Sequence, residues 1–227
     1  VYELLDGETV AESSISKVVL GNMEVSYVIG EEEVCAILIR TPAVIENIRV
    51  LLLADDGGKF RSAVYLKADT DARIRFGGNE SDYAAGTLLD VSTWFTECKD
   101  TFSIQPVTEN GKIFLCDEVG NTISNGYPGS AEVRRYEEGY TVVNSVPFET
   151  YLTAVVPSEM PSTYEKEALK AQAVCARSYA YIQLMRADLA AFGAHINDST
   201  SYQVYNKAEA GEASRQAVEE TKHEVMT

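Results

Sequence analysis

Short apolar stretches dominate the first half of the chain and predict strands. Residues 23–28 alternate apolar and polar side chains, which is the period of a strand with one covered face. Residues 34–39 and 48–53 are runs made mostly of β-branched or aliphatic residues, as in buried strands. The Asp-Asp-Gly-Gly segment at 55–58 predicts a hairpin turn, and Asn-Gly at 110–111 predicts another turn. Further short strands are predicted at residues 63–67, 73–76, 102–105 and 112–116.

The pattern changes after residue 125. Strands predicted at 131–136 and 140–144 flank a Glu-Glu-Gly turn, which indicates a hairpin. Pro147 suits a first helical turn, where its missing N–H costs nothing, so a short helix is predicted from Phe148 to about Val156.

Residues 163–192 are rich in good helix formers and predict one long helix. Ser162 followed by Glu165 is typical of a capping box at its start, and Gly193 suits its end. Small apolar side chains recur along it at helical spacing and predict a buried stripe, formed by Leu169, Ala173, Ala176, Ala180 and Leu184.

A further helix is predicted at 213–222 and the start of a strand at 223–227. Together the elements predict an α+β fold, in which a β-rich N-terminal region lies beside a mixed α/β core with one long helix. We assign residues 1–125 to a β-rich accessory region and residues 126–227 to the core.

Composition narrows the class of protein. The net charge of -16 argues against nucleic acid, since phosphate binding needs clustered Lys and Arg, and it offers no basic patch for anionic lipid. No apolar run is long enough to cross a bilayer. The four cysteines contain no CxxC pair: Cys175 is predicted to be a small core residue, and the disulfide state of Cys35, Cys98 and Cys116 is left open.

Glu159 is the outstanding candidate for chemistry, since it lies between Pro157 and Pro161. Proline fixes φ and restricts the preceding residue, so a stiff turn would aim this carboxylate. A general acid must hold its proton near neutral pH, and apolar neighbours raise the pKa of a carboxyl group; Val155, Val156 and Met160 could supply them. From the residues alone, an acid that stabilises the start of the next helix is the more common arrangement.

Several ordered segments resemble the SpoIID/LytB family, which includes peptidoglycan lytic transglycosylases of the stage II sporulation protein D type and LytB-type amidase enhancers. The resemblance covers about residues 126–227 and is specific, because spaced motifs agree in order. The segments are GYPG at 126–129, NSVPFETYL at 144–152, VVPSEMP at 155–161, EALKAQAV at 167–174, ARSYA at 176–180 and SYQVY at 201–205.

By this resemblance Glu159 occupies the catalytic acid position. A glycosidase with two carboxylates needs a second acid at a set distance, and the sequence identifies none near Glu159. A lytic transglycosylase needs one: its Glu protonates the glycosidic oxygen and then takes the proton of the C6 hydroxyl, which closes a 1,6-anhydro ring.

Four further residues are candidate substrate-binding residues. Lys170 and Arg177 lie seven residues apart on one helical face, where they could hold the helix against the site, contact the glycan, or form a solvated basic stripe. Tyr202 and Gln203 could bind sugar hydroxyls or an N-acetyl group; the alternative is a strand with Tyr202 packed and Gln203 solvated.

Some family members bind zinc through a His and a Cys before the QVY element. His195 lies near that place, but the cysteine neighbours are absent, so we expect no metal and no cofactor, and interpret His195 as a loop residue. The family's domain usually continues beyond a segment like 219–227, so we expect this chain, which stops at Thr227, to be C-terminally truncated, and a complete cleft is in doubt.

The resemblance implies an extracytoplasmic cell-wall protein of a Gram-positive, sporulating bacterium. Its substrate would be peptidoglycan glycan strands stripped of stem peptides by a partner amidase, and it would meet a membrane only through a segment absent from this chain. Two rival functions stay open: a non-catalytic enhancer of an amidase, and a cell-wall-binding module, for which the strand-rich first half is the evidence.

Overall fold

The computed structural model describes residues 2–5, 9–12, 23–30, 33–41, 46–96, 100–184, 186 and 188–226. Two separate hairpins come first in the chain. Strand β1 (Tyr2–Leu5) pairs antiparallel with β2 (Thr9–Glu12), and β3 (Met23–Gly30) pairs antiparallel with β4 (Glu33–Thr41). The strands predicted at 23–28 and 34–39 are therefore confirmed.

A seven-stranded sheet forms the centre of the fold. Its strands are β5 (Asn47–Leu52), β7 (Ala72–Phe76), β8 (Asn79–Tyr83), β10 (Thr101–Pro106), β13 (Ser130–Tyr136), β14 (Gly139–Pro147) and β15 (Ile196–Asn197), in the order β15-β5-β14-β13-β10-β7-β8. Among the described strands of this sheet, β15 alone runs parallel to its neighbour, β5; the other pairs are antiparallel. The predicted hairpin at 131–144 is confirmed as β13 and β14.

A smaller sheet has the order β12-β11-β6-β9. Its strands are β6 (Tyr65–Ala68), β9 (Leu89–Asp90), β11 (Lys112–Cys116) and β12 (Tyr127–Pro128), and a 3-10 turn at Val91–Trp94 follows β9. The turn predicted at 55–58 forms, with the Gly57 N–H donating to the Ala54 carbonyl at 2.8 Å. It does not make a hairpin, because β5 already has β14 on one side and β15 on the other.

The main sheet takes strands from both sides of residue 125. Four of its strands precede that residue and three follow it. One hydrophobic core also runs from Ile48 to Val218 along the chain. The assigned accessory region and core therefore share a sheet and a core.

Three helices pack against this core within the described residues: α1 (Phe148–Glu159), α2 (Lys166–Leu184) and α3 (Glu212–Glu220). The combination of helices with mixed sheets confirms the predicted α+β class. The predicted small-residue stripe of α2 is buried throughout, which lets the helix approach the core closely.

The long helix is shorter at both ends than its composition predicts. It begins at Lys166, and the Ser162 hydroxyl lies 2.6 Å from the Ser214 hydroxyl instead of capping the helix. The helix ends at Leu184, and Gly193 instead closes a separate 3-10 turn, Ala190–Phe192, in the left-handed conformation that glycine allows. The capping box is wrong because the tertiary partner Ser214 takes the hydroxyl.

The strand predicted at 223–227 is not formed in its described part, residues 223–226. His223 adopts φ 67°, which takes the backbone out of extended geometry. The Met226 N–H then donates to the Ser178 hydroxyl on α2 at 2.8 Å. Among the described residues, no helix has the length and apolar character needed to span a membrane.

Candidate active site

Glu159 is the last residue of α1, and a backbone amide from a distant segment holds its carboxylate. Oε1 of Glu159 accepts a hydrogen bond from the Val204 N–H at 2.6 Å. Pro157 lies inside the final turn, which closes through the Met160 N–H and the Val156 carbonyl at 2.8 Å. The helix therefore continues past Val156, near which the sequence predicts its end. Pro157 has no N–H to donate, but the Met160 N–H still closes the final turn.

The apolar surroundings predicted for the Glu159 carboxyl group are not found. Val155 and Val156 are fully buried in the core, whereas Glu159 is exposed. Glu159 lies one turn further along, where the helix leaves the core, and residues 163–167 after it are exposed as well. The carboxylate is thus fixed by a backbone hydrogen bond and open to solvent.

Gln203 anchors the segment that faces Glu159. Its side chain is buried, its Oε1 accepts from the Tyr151 hydroxyl at 3.0 Å, and its Nε2 donates to the Ala176 carbonyl at 3.3 Å. The alternative of a solvated Gln203 in a strand is therefore wrong. The side chain ties the segment to α1 and α2, the two helices on either side of residues 160–165.

Tyr205 provides the second anchor. It is fully buried, and its hydroxyl donates to Oδ1 of Asn144 at 2.8 Å. The ring lies between Tyr151, at a centroid distance of 5.0 Å, and Tyr127, at 6.0 Å. Burial raises the pKa of all three tyrosines, so their hydroxyls stay protonated and can donate.

Arg177 is buried on α2 and every one of its five N–H groups has an acceptor. Nε and Nη2 form a two-point ion pair with the Glu149 carboxylate at 3.0 and 2.9 Å. The remaining donors reach the Val218 carbonyl, the Thr221 hydroxyl and the Glu224 carbonyl. The structure therefore supports the reading in which Arg177 holds helices together, and a solvated stripe is wrong for this residue.

Lys170 links α2 to α3. Its Nζ lies 2.9 Å from Oε2 of Glu220 and 3.1 Å from Oε1 of Glu167. The hydrogen bond with Glu220, followed by the one with Glu167, raises the pKa of Lys170. Like Arg177, Lys170 directs its described contacts to neighbouring helical residues and not to Glu159.

Tyr202 and His195 lie near the same segment. Tyr202 is half-buried against the hydrophobic core, which leaves part of its ring accessible. His195 lies at a bend directly before β15, and its Nδ1 accepts from the Arg49 N–H at 3.1 Å. Burial, with a smaller contribution from Arg49, lowers the pKa of His195 to about 4. Within the described ranges, no cluster of three or more His, Cys, Asp or Glu side chains could hold a metal ion.

Cys175 is exposed, with its Sγ 3.9 Å from Sδ of Met226, so its assignment to the core is wrong. It lies on the outer side of α2, one residue before the buried Ala176. Cys116 is a buried thiol without a disulfide. Cys98 lies outside the described residues.

The structure brings Glu159 together with the 201–205 segment, whereas the sequence motifs place the two only in order along the chain. Glu149, Tyr151, Asn144 and Tyr205 were missed as partners, although all four lie inside the matched segments. Their pairings join residues 28 to 61 positions apart, and one sequence does not show which distant side chains meet.

Residues 136–227 match the model of the SpoIID family, described as Stage II sporulation protein. The match begins at the end of β13 and includes helices α1, α2 and α3, Glu159 and the 201–205 segment.

Three relatives illustrate the match. The chain is 41% identical over 78 residues to Stage II sporulation protein D of Bacillus subtilis, covering 33% of this chain and 22% of the relative. It is 39% identical over 75 residues to the Amidase enhancer of the same organism, covering 33% and 10%. An uncharacterized protein of Brachyspira hyodysenteriae is 39% identical over 101 residues, covering 44% and 27%. The chain thus spans about a quarter or less of each relative, and no solved structure matches it.

Proposed function

We propose that this protein acts on the bacterial cell wall as a peptidoglycan lytic transglycosylase, with Glu159 as its single acid and base. Support comes from the match of residues 136–227 to the SpoIID family model and from the similarity to the relative named Stage II sporulation protein D. The same evidence supports an extracytoplasmic place of action and a role in sporulation.

The observation that carries the proposal is the state of the Glu159 carboxylate. Oε1 is fixed by the Val204 N–H at 2.6 Å, while the residue as a whole is exposed. Within the part of the chain that the structure describes, the Glu159 carboxylate makes no other hydrogen bond. Oε2 is therefore available to a bound glycan, in an orientation that two buried anchors, Gln203 and Tyr205, stabilise.

The reaction uses one proton twice. Glu159 in its acid form donates the proton to the oxygen that joins a muramoyl sugar to the next sugar, and the bond from that oxygen to C1 breaks with its electron pair on the oxygen. The C6 hydroxyl oxygen of the muramoyl sugar then bonds to C1, and its proton returns to the Glu159 carboxylate. No water is consumed, so a second carboxylate for activating water is not required.

The other matched residues have supporting roles in this proposal. Arg177 and Lys170 position α2 against α1 and α3, and Gln203 positions the segment that carries Val204. Tyr202, with its partly accessible ring, is the best placed of the four to contact a sugar face.

The type of product tests the reaction class. Denuded glycan strands are incubated with the protein in water labelled with oxygen-18, and the fragments are weighed by mass spectrometry. Transglycosylation predicts anhydromuramoyl ends that contain no label, whereas hydrolysis predicts reducing ends that carry it. Glu165→Gln serves as the matched control for Glu159→Gln, because Glu165 is another exposed acid near the same helix end.

A second function is favoured by the relative named Amidase enhancer. In that case the exposed surface around Glu159 binds a glycan or an amidase without cleaving a bond. Stimulation of an N-acetylmuramoyl-L-alanine amidase that persists undiminished in Glu159→Gln, with no anhydro product from either protein, would favour the enhancer.

A further inference from the structure

The turn that follows the 201–205 segment folds back onto the end of α1. Asn206 adopts φ 57°, a left-handed conformation that is uncommon for residues other than glycine. Its side-chain amide donates to the carbonyls of Asn125 and Gly126, each at 3.3 Å, and its own carbonyl accepts from the Asn125 side chain at 2.9 Å. These contacts hold the reversal, which directs the next two backbone amides toward α1.

The hydroxyl of Ser158, in the last turn of α1, accepts hydrogen bonds from those two amides. The Lys207 N–H donates to it at 3.0 Å and the Ala208 N–H at 3.3 Å. The same hydroxyl donates to the Ala154 carbonyl at 2.7 Å. A serine hydroxyl has one donor and two acceptor lone pairs, so this side chain uses its full hydrogen-bonding capacity.

Ser158 differs from an ordinary hydroxyl residue inside a helix. A serine or threonine that bonds back to its own helix is common, and Thr153 is an example on α1, since its hydroxyl donates to the Thr150 carbonyl at 2.8 Å. The hydrogen bonds that Ser158 accepts come instead from residues 49 and 50 positions away. Its hydroxyl therefore joins two distant parts of the chain.

The junction lies at the helical turn that carries Glu159. Val204, whose N–H holds the Glu159 carboxylate at 2.6 Å, lies just before this reversal of the chain. The anchor Gln203 reaches α1 through Tyr151, which lies about two helical turns before Glu159. Ser158 thus acts much closer to the carboxylate than Gln203 does.

We propose that Ser158 is a positioning residue for Glu159. Its hydroxyl holds residues 206–208 on the last turn of α1, and this contact keeps the Val204 N–H against Oε1 of the Glu159 carboxylate. Ser158 does not touch the substrate and acts only through the orientation of Glu159. The catalytic use of that orientation rests on the proposed function, whereas the contact itself does not.

Amide hydrogen exchange followed by NMR tests the contact without any glycan. In the wild type we expect the Lys207 and Ala208 amides to be protected, although Lys207 is an exposed residue. In Ser158→Ala these two amides and that of Val204 should exchange about 5- to 10-fold faster relative to the amides of β14, from the loss of the accepted hydrogen bonds. Thr153→Ala is the matched control and should leave all three amides protected, because it loses only a hydroxyl that bonds within α1.

Rates of anhydromuramoyl product formation test the catalytic consequence. Ser158→Ala should lower kcat about 10- to 100-fold and change KM less than about 3-fold, because the acid is misplaced while the binding surface is kept. Ser158→Thr keeps the hydroxyl and should restore both the rate and the amide protection. Thr153→Ala should keep the wild-type kcat and KM, and circular dichroism checks that each variant folds.

Four results would overturn the positioning role. Unprotected Lys207 and Ala208 amides in the wild type would do so whether or not any variant folds. Unchanged exchange at Val204 in Ser158→Ala would do so as well. The role would also be lost if Ser158→Ala and Ser158→Thr were equally impaired, or if Ser158→Ala raised KM and left kcat unchanged.

The two proposals fail in different ways. Protection of the Val204 amide that depends on the Ser158 hydroxyl, with no anhydro product from the wild type, would leave the orientation of Glu159 by Ser158 standing and remove the transglycosylase. Anhydro products formed by Ser158→Ala at the wild-type rate would remove the positioning role and leave the transglycosylase.

Discussion

Helix α1 carries an acid at each end, and the two have opposite surroundings. Glu149 in the first turn meets the buried Arg177, whose five donors are all occupied. Glu159 at the last residue is exposed, and among the described residues it takes one hydrogen bond, from the Val204 N–H. A carboxylate fully paired inside the fold holds helices together, whereas one that is oriented yet accessible can exchange a proton with a ligand.

The largest expected effect is a loss of stability when the ion pair between Glu149, at the start of α1, and Arg177 is broken. Arg177→Met leaves the Glu149 carboxylate, which is 24% exposed, without its ion partner. It also removes the hydrogen bonds that the carbonyls of Val218 and Glu224 accept. We expect the free energy of unfolding to fall by about 3 kcal/mol in urea titrations.

Lys170→Met is the control for this substitution, because Lys170 pairs with acids at a much more exposed position of the same helix. It should lower stability far less than Arg177→Met. Equal losses for the two variants would show that the buried pair at Glu149 has no special part in holding the helices.

The next largest effect on stability is expected from Tyr205, which anchors the segment that faces Glu159. Tyr205→Phe removes the hydroxyl that donates to Oδ1 of Asn144 and leaves that buried oxygen unpaired. The free energy of unfolding should fall by about 1–3 kcal/mol. Tyr164→Phe, at an exposed tyrosine, should change it by less than about 0.5 kcal/mol. A Tyr205→Phe protein as stable as the control would mean that this anchor does not hold the 201–205 segment.

A smaller effect on stability depends on pH and comes from His195, which lies directly before the edge strand β15. The pKa of His195 is about 4 in the folded protein, below the value of about 6.5 expected in the unfolded chain. Between these values the unfolded state binds more protons, so the stability is fully present above pH 6.5 and is lost as pH falls toward 4.

His195→Asn keeps an acceptor for the Arg49 N–H and removes the titration. The wild type should lose on the order of 1 kcal/mol more than this variant between pH 7 and pH 5, a figure reduced because the ring keeps some contact with solvent. Parallel stability curves for the two proteins over this range would contradict the buried, neutral histidine.

Local patterns in the sequence account for most of the fold but for few of the contacts in the site. The β-branched runs at 34–39 and 48–53 and the turn at 137–139 predict strands and a hairpin that form. The small-residue stripe of α2 likewise predicts its buried face. In each case a residue's burial follows from near neighbours in the chain.

The failures come from partners far apart in the chain. Ser162 has the local pattern of a helix cap, yet Ser214 takes its hydroxyl. Glu159 was expected among apolar neighbours, but it projects beyond the core and meets Val204. The solvated alternative for Gln203 fails in the same way, since its buried side chain bonds to the Tyr151 hydroxyl and the Ala176 carbonyl. Periodicity carries no information on such long-range pairings.

The most direct test of these different roles for Glu149 and Glu159 compares anhydromuramoyl products from the wild type, Glu149→Gln and Glu159→Gln. The comparison is made at a temperature where all three proteins are folded. We expect Glu159→Gln to be as stable as the wild type and to form no anhydro product, because only its proton donor is lost. Glu149→Gln should be less stable and still active. Anhydro products from Glu159→Gln at the wild-type rate would contradict the assignment of Glu159 as the catalytic acid.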